Sequence, residues 1–360
     1  MREDRKMSIT LERRQTGIIV AEATSLIVLN VVSLVGNFLI CWVVYRNPSL
    51  RTTTNLYIVA LAVSDLSSAI FVMPFSSGVL ITGDWMYGSF YCNIQGFFVV
   101  LNIYVSPCLM ALTAFNRYIR IVKTNIYHKL FSMQKCKIWI VAVWLMVVAY
   151  ILSQVLVGNQ AIRFVPPYAV CSTTHLKSTQ KIVHYSIVIP AFVVAPIAIT
   201  SACYYKIFRN IKVHNKNVLP SLQGRNGTSS ISSRELRISI SLFVVVIVFA
   251  FCWIPLWVLA LLFRFQLVKS LPRNVTLLIS FLVFFSSTIN PFIYAGMNRS
   301  FRSELRRICS LCKQQPNPLH TRQCRRTEEP KITSLNHAEL QSLNMDKWKD
   351  ESDSLKLNCL

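Results

Sequence analysis

Long apolar runs separated by short polar connections recur seven times along the chain. The runs are Ile18–Tyr45, Asn55–Leu80, Ser89–Tyr118, Ile138–Val157, Ile182–Tyr205, Ile238–Phe263 and Val275–Gly296. A helix needs roughly 20 mostly apolar residues to cross the hydrocarbon of a bilayer, and every run reaches that length. Charge is nearly absent from them. Glu22 lies near the edge of the first and Asp65 alone in the second, while the stretch between Ser89 and Asn116 and the fourth, sixth and seventh runs hold no Asp, Glu, Lys or Arg. A helix satisfies its own backbone polar groups, so it is the only open-ended element that lipid tolerates. The pattern predicts an all-α membrane protein with a seven-transmembrane helix bundle over residues 18–296, not a large soluble helical domain.

Composition agrees, with a mean hydropathy of +0.45. The formal net charge of +23 would suggest nucleic acid if the chain were soluble. In a membrane protein it reads as orientation instead, and no nucleic-acid partner is expected. The first, third and fifth connections, Arg117 and the tail after Gly296 hold 27 of the 38 lysines and arginines. The richer side faces the cytoplasm. Residues 1–17 are therefore expected outside and the tail inside, although Arg2, Arg5, Lys6, Arg13 and Arg14 pull weakly the other way. The first run is too long for a cleavable signal peptide.

Beyond the bundle, residues 298–312 are amphipathic. Phe301, Leu305 and Ile308 share one face and Arg299, Arg302, Arg306 and Arg307 line the rest, the pattern of an interfacial eighth helix on an anionic leaflet, with membrane lipid as its partner. Cys309 and Cys312 at its end are palmitoylation candidates or structural thiols. Residues 313–360 read as a disordered cytoplasmic tail, and the third inner loop, about Asn210 to Ser233, as flexible. Of the eleven cysteines, an odd number, two fall on the outer side, Cys92 and Cys171. They are the natural pair in an oxidising compartment; two free thiols are the alternative. Asn274, in Asn274-Val275-Thr276, is the outer sequon and lies close to the bilayer, whereas Asn226 falls on the cytoplasmic side.

Cys92 and Arg117 are 25 positions apart on one predicted helix, about 37 Å at 1.5 Å per residue. One sits at each membrane surface. An arginine held at the rim needs a partner, and Glu235 at the start of the sixth run is the candidate; two separately solvated charges are the alternative. Asp65 is the carboxylate deep in the bundle, where burial demands a counter-ion, hydrogen bonds or a proton. Ser106 and Asn290 supply oxygens nearby, and a sodium ion would suit such hard donors; a protonated or hydrogen-bonded aspartate is the alternative. Pro74, Pro107, Pro196, Pro255 and Pro291 are expected to bend their helices, and Trp253 sits beside such a bend at mid-membrane.

Together these residues resemble the rhodopsin-like (class A) G-protein-coupled receptors, over about Gly36 to Cys312. The resemblance rests on Gly36-Asn37, Leu61-Ala62-Val63-Ser64-Asp65, Cys92, Asn116-Arg117-Tyr118, Trp144, Pro196 with Tyr204, Cys252-Trp253-Ile254-Pro255, and Asn290-Pro291-Phe292-Ile293-Tyr294 followed by Phe301-Arg302. It implies a plasma-membrane receptor with an outer ligand pocket, a sodium site at Asp65, and heterotrimeric G protein and arrestin at the inner face. It also implies that Arg117, Tyr204 and Tyr294 rearrange on activation. Asn116 replaces the acidic residue usual before that arginine, which removes a local restraint on Arg117.

The resemblance also narrows the ligand. Val99 stands where amine receptors carry an aspartate, and Phe284 where retinal proteins carry a Schiff-base lysine. The implied pocket, Val99, Asn102, Ile103, Gln154, Phe192, Trp253, Trp257 and Phe281, suits a neutral, flat small molecule with hydrogen-bonding ends. Within the family the chain is most similar to the melatonin receptors, through Asn116-Arg117-Tyr118, Tyr127-His128-Lys129-Leu130-Phe131-Ser132 and Tyr45-Arg46-Asn47. That likeness suggests coupling to the inhibitory G protein and lowered cAMP. Ligand-contact positions depart: Gln154 replaces an asparagine, Thr173 a phenylalanine, His175 a glutamine and Phe192 a histidine. A receptor for a peptide or lipid is the alternative within the family. A transporter or channel should show repeats or several intramembrane charges, and a non-signalling seven-span binding protein would not need Arg117. No carboxylate pair, metal cluster or nucleophile triad emerges, so no enzyme activity and no cofactor beyond sodium is expected.

Overall fold

The computed structural model describes residues 15–175, 178–218, 233–265, 267–268, 271–298 and 301–307. Among the described residues, seven helices are long and apolar enough to cross a membrane: Thr16–Arg46, Thr53–Thr82, Gly88–Val122, Met133–Leu156, Ile182–Val213, Ile238–Leu262 and Arg273–Met297. They are the first to seventh spans below. Several run past the apolar stretch because polar residues cap them. The Thr52 hydroxyl accepts from the Asn55 amide at 3.3 Å to open the second span, and the Ser132 hydroxyl accepts from the Lys135 amide at 3.3 Å to open the fourth.

The prolines act unequally. The second span breaks at Val72 into Thr53–Phe71 and Met73–Thr82, where Pro74 cannot donate to the ladder. In the fifth, a wide turn covers Ile189–Val194, ahead of Pro196. Pro107, Pro255 and Pro291 lie inside helices that continue through them. Packing against neighbouring helices holds the interrupted ladders, as membrane interiors allow.

Side chains sort against a hydrophobic surround. Large apolar residues such as Phe251, Leu278 and Phe292 face outward, while Asn37, Ser33, Asp65, Gln95, Asn116 and Arg117 are buried. Since lipid is as apolar as leucine, helix association here draws on close contact and hydrogen bonds between spans. At Gly36 an added Cβ would lie 2.7 Å from the Pro291 ring, so glycine is what lets the first and seventh spans meet. The Asn37 amide then donates to the Ser287 carbonyl at 2.9 Å. Arg273 clasps Glu22 through both carboxylate oxygens, at 2.8 and 2.6 Å, tying the same two spans at their other end.

Between the fourth and fifth spans the chain forms an antiparallel hairpin of β1 (Gln160–Val165) and β2 (Val170–His175), with Phe164 opposite Cys171. The hairpin lies over one end of the bundle, held by the Cys92–Cys171 disulfide. This is called the disulfide end below; the opposite one is the Arg117 end. Gly96 makes the seating possible: a Cβ there would lie 2.3 Å from Ile162. After the seventh span, residues 301–307 are helical and Phe301 is buried against Tyr294. This is the described part of the eighth helix expected over 298–312; Cys309, Cys312 and the tail 313–360 lie outside the described residues.

Candidate functional site

A cavity of about 320 Å³ opens beneath the hairpin and descends to mid-membrane. The second, third, fifth, sixth and seventh spans wall it, with the hairpin as its roof. Of the residues expected around a ligand, Val99, Asn102, Ile103, Trp253 and Trp257 line it. So does Phe284, at the position where the resemblance to retinal proteins would place a Schiff-base lysine. Among the described residues no Lys, Arg or Glu lines it, and Asp65 is the one carboxylate there.

Three expected residues do not line the cavity. Phe192 is buried and stacks on Tyr104, with ring centres 4.8 Å apart, and touches Tyr150. Phe281 packs into the apolar cluster of Leu26, Met73 and Leu277. Gln154 lies in the last turn of the fourth span, where its side-chain Oε1 accepts from the Asn159 side-chain amide at 3.5 Å. In each case a local partner claims the side chain that the resemblance directs inward.

The sequence reading misses the polar cluster at the fifth-span wall. His184 is buried and lines the cavity. Its Nδ1 lies 2.9 Å from the Tyr150 hydroxyl and 2.9 Å from the Gln160 amide, and its Nε2 lies 3.4 Å from the Tyr104 hydroxyl. Third span, fourth span, fifth span and β1 thus meet at one imidazole. A histidine within an apolar run is itself a signal, because intramembrane ionisable groups are expensive and kept for a use.

Deeper, a second polar group surrounds Asn102. Its Oδ1 accepts from the Ser64 hydroxyl at 2.6 Å and the Ser67 hydroxyl at 3.1 Å, while its Nδ2 has no hydrogen-bond partner. Ser106 reaches Ser64 at 3.3 Å. Asp65, 5% exposed, accepts from the Asn290 amide at 2.8 Å. Asp65, Ser106, Ser287 and Asn290 all line the same cavity, and this set of hard oxygens fits a small monovalent cation. Trp253 stands at this depth, 4% exposed, its indole donating to Ser286 at 3.0 Å and its face against Phe249.

The cavity stops at Leu61 and Met110. These two, with Tyr57, Ile58, Leu242, Val245, Tyr204 and Tyr294, enclose a space of only about 10 Å³, room for about one water. Seven residues beyond Met110, about 10 Å along the helix, lies Arg117, 1% exposed. The Asn116 amide turns from it and reaches the Tyr127 hydroxyl at 3.5 Å, which also lies 2.7 Å from the Thr53 hydroxyl. Tyr118 carries Lys206 over its ring at 5.4 Å. Tyr204 and Tyr294 are buried, and the Tyr204 hydroxyl has no partner. The side chain of Glu235 lies outside the described residues, so its expected pairing with Arg117 has no geometry here.

At the roof, the Thr276 hydroxyl donates to the Pro167 carbonyl at 2.9 Å and Ser280 to the Tyr168 carbonyl at 3.1 Å, strapping the hairpin turn to the seventh span. Burial pushes the Tyr168 hydroxyl up to about 12, so it stays neutral and donor-competent at physiological pH. Asn274 is exposed at the start of the seventh span.

Comparison with known proteins agrees with this arrangement. Residues 36–294 match the 7 transmembrane receptor (rhodopsin family) pattern. The chain is 29% identical to the melatonin receptor type 1A of Ovis aries over 295 residues, 81% of this chain and 78% of that receptor. It is 29% identical to the type 1C receptor of Gallus gallus over 328 residues, 88% and 92% of the two chains. To the type 1B receptor of Homo sapiens it is 29% identical over 286 residues, 79% and 76%.

Proposed function

The chain belongs to the rhodopsin family of seven-transmembrane receptors, a family of receptors and not of enzymes, and from that premise we propose that it relays an external small-molecule signal to a heterotrimeric G protein. The observation that carries the reading is the pair of separated compartments: a closed apolar layer parts the ligand-sized cavity from buried Arg117. A ligand in the upper compartment presses on Trp253, whose link to Ser286 joins sixth and seventh spans. Parting the layer around Tyr204 and Tyr294 then frees Arg117 for a partner at the inner face. Arrestin competes for the same opened face.

The ligand is a neutral molecule with an aromatic or apolar middle and hydrogen-bonding ends. Apolar walls from Val99, Ile103, Trp253 and Trp257 suit its body. Asn102 and the His184 cluster offer polar ends, and no carboxylate stands at position 99 to hold an ammonium. Melatonin, after which the relatives above are named, has that character. Phe192 and Gln154, turned to local partners here, differ from the melatonin-receptor pattern, so a related neutral amide fits better than melatonin itself. A sodium ion held by Asp65, Ser106 and Asn290 would neutralise the buried carboxylate and brace the second span against the seventh in the resting form.

In orientation, the disulfide end faces the cell exterior and the basic connections face the cytoplasm, at the plasma membrane. Coupling is to the inhibitory G protein, with cAMP falling on activation. A panel of indole amides, neutral lipids and small peptides, read by cellular cAMP, tests the reading. We expect a neutral amide to lower cAMP in cells carrying the receptor and to lose effect at Asn102→Leu. A peptide that acts while every small molecule is silent would overturn the ligand assignment.

A further inference from the structure

A second hollow, of about 530 Å³, lies on the outside of the bundle between the third and fifth spans. Its floor is made by small side chains, Ala111 on the third span and Ala195 and Ala202 on the fifth, and its flanks by Leu112, Phe115 and Ile199. Ala195, Ile199 and Ala202 are exposed, so the hollow opens toward lipid and not toward the ligand cavity. From Cys108 to Tyr118 it follows the third span for ten residues, about 15 Å, which is half of the roughly 30 Å hydrocarbon core and hence one leaflet deep. A void of this size lined by apolar atoms does not hold water, and in a bilayer something apolar must fill it.

The rim of the hollow is charged. Lys206, exposed and part of the lining, sits over the Tyr118 ring at 5.4 Å, and among the described residues no carboxylate pairs with it. Arg209 and Lys212 follow on the same helix, both exposed. A fixed cation at the mouth of a leaflet-deep apolar groove matches an acyl chain that ends in a negatively charged headgroup. We propose that this groove binds one anionic phospholipid, an acyl chain lying over Ala195 and Ala202 and the headgroup phosphate on Lys206. With the orientation proposed above, the lipid comes from the cytoplasmic leaflet, where anionic lipids concentrate and each nearby lysine strengthens their hold. Bound there, it fastens the fifth span to the third beside Tyr118.

Native mass spectrometry of the full-length receptor in detergent, titrated with dioleoyl phosphatidylglycerol or dioleoyl phosphatidylcholine, tests this without reference to signalling or orientation. The first bound lipid should be phosphatidylglycerol in preference to phosphatidylcholine. Lys206→Gln should reduce that preference about fivefold, one surface cation's share. Ala202→Phe, which fills the groove, should weaken the first binding event for both lipids. Unchanged preference in Lys206→Gln overturns the proposal, and that exposed substitution decides alone if Ala202→Phe does not fold. Cross-linking of two receptor copies through Ala202→Cys, an exposed position in the groove, in native membranes would also overturn it, by showing a second chain there.

Discussion

Gln95 is fully buried in the third span, and its two ends join three elements. Its Oε1 accepts from the Cys171 amide at 2.7 Å, and its Nε2 donates to the Val72 carbonyl at 3.0 Å and the Ser76 hydroxyl at 3.1 Å. Val72 O also accepts from the Ser76 amide, so the groups left stranded in Gln95→Leu are the Cys171 N–H and the buried Ser76 hydroxyl. A stranded buried donor costs about 1–3 kcal/mol. Gln95→Leu should lower the unfolding temperature of the detergent-solubilised receptor by several degrees, and an unchanged melting curve would contradict the role given to this residue. Asp65 makes a second residue-scale prediction. Sodium chloride, compared with potassium chloride at equal ionic strength, should raise the unfolding temperature of the wild type and leave Asp65→Asn unaffected. An equal sodium response in both would remove the cation from Asp65. Gln95 was not legible in the sequence, because a lone amide in an apolar run gives no sign of partners 19 to 76 positions away. Asp65 was legible, because a carboxylate in such a run is conspicuous by its cost.

Hydropathy alone located the spans, since each must be apolar for a full bilayer thickness. The hairpin escaped that reading. Gln160–Val165 and Val170–His175 mix polar and apolar residues without clean alternation, and their pairing depends on the third span beneath them. The disulfide was legible because only two cysteines fall on the proposed outer side; the contact that seats it, Gly96 under Ile162, was not. Phe192 illustrates the reverse error: family position pointed it into the cavity, while Tyr104 and Tyr150 beside it take up the ring. Two element-scale predictions follow from these ties. Cys171→Ser releases the hairpin and should cost about 2–5 kcal/mol, the usual range for a native disulfide, seen as reduced surface expression and a lower unfolding temperature. Arg273→Ala removes the bidentate guanidinium from the partly buried Glu22 carboxylate and should cost about 1–3 kcal/mol. Glu22→Gln with Arg273→Gln should recover part of that loss. No recovery would mean that the two side chains act independently.

At the scale of the molecule, the arrangement is one of two ends and a barrier. The ligand cavity and Arg117 occupy opposite ends of the third span, and the closed layer at Leu61, Met110, Tyr204 and Tyr294 keeps them apart. Asn116, engaged with Tyr127, supplies no carboxylate to hold the arginine. Packing within the layer resists opening. Thinning it by Met110→Ala should raise ligand-free signalling, and leave it unaltered only if the layer is no barrier. The most direct test of the whole account is guanine-nucleotide exchange on purified inhibitory G protein, with the receptor reconstituted in lipid discs, wild type against Arg117→Ala and Met110→Ala. The account predicts measurable exchange by wild type, more by Met110→Ala and none above background by Arg117→Ala at equal receptor density. Exchange by Arg117→Ala that equals wild type would contradict it.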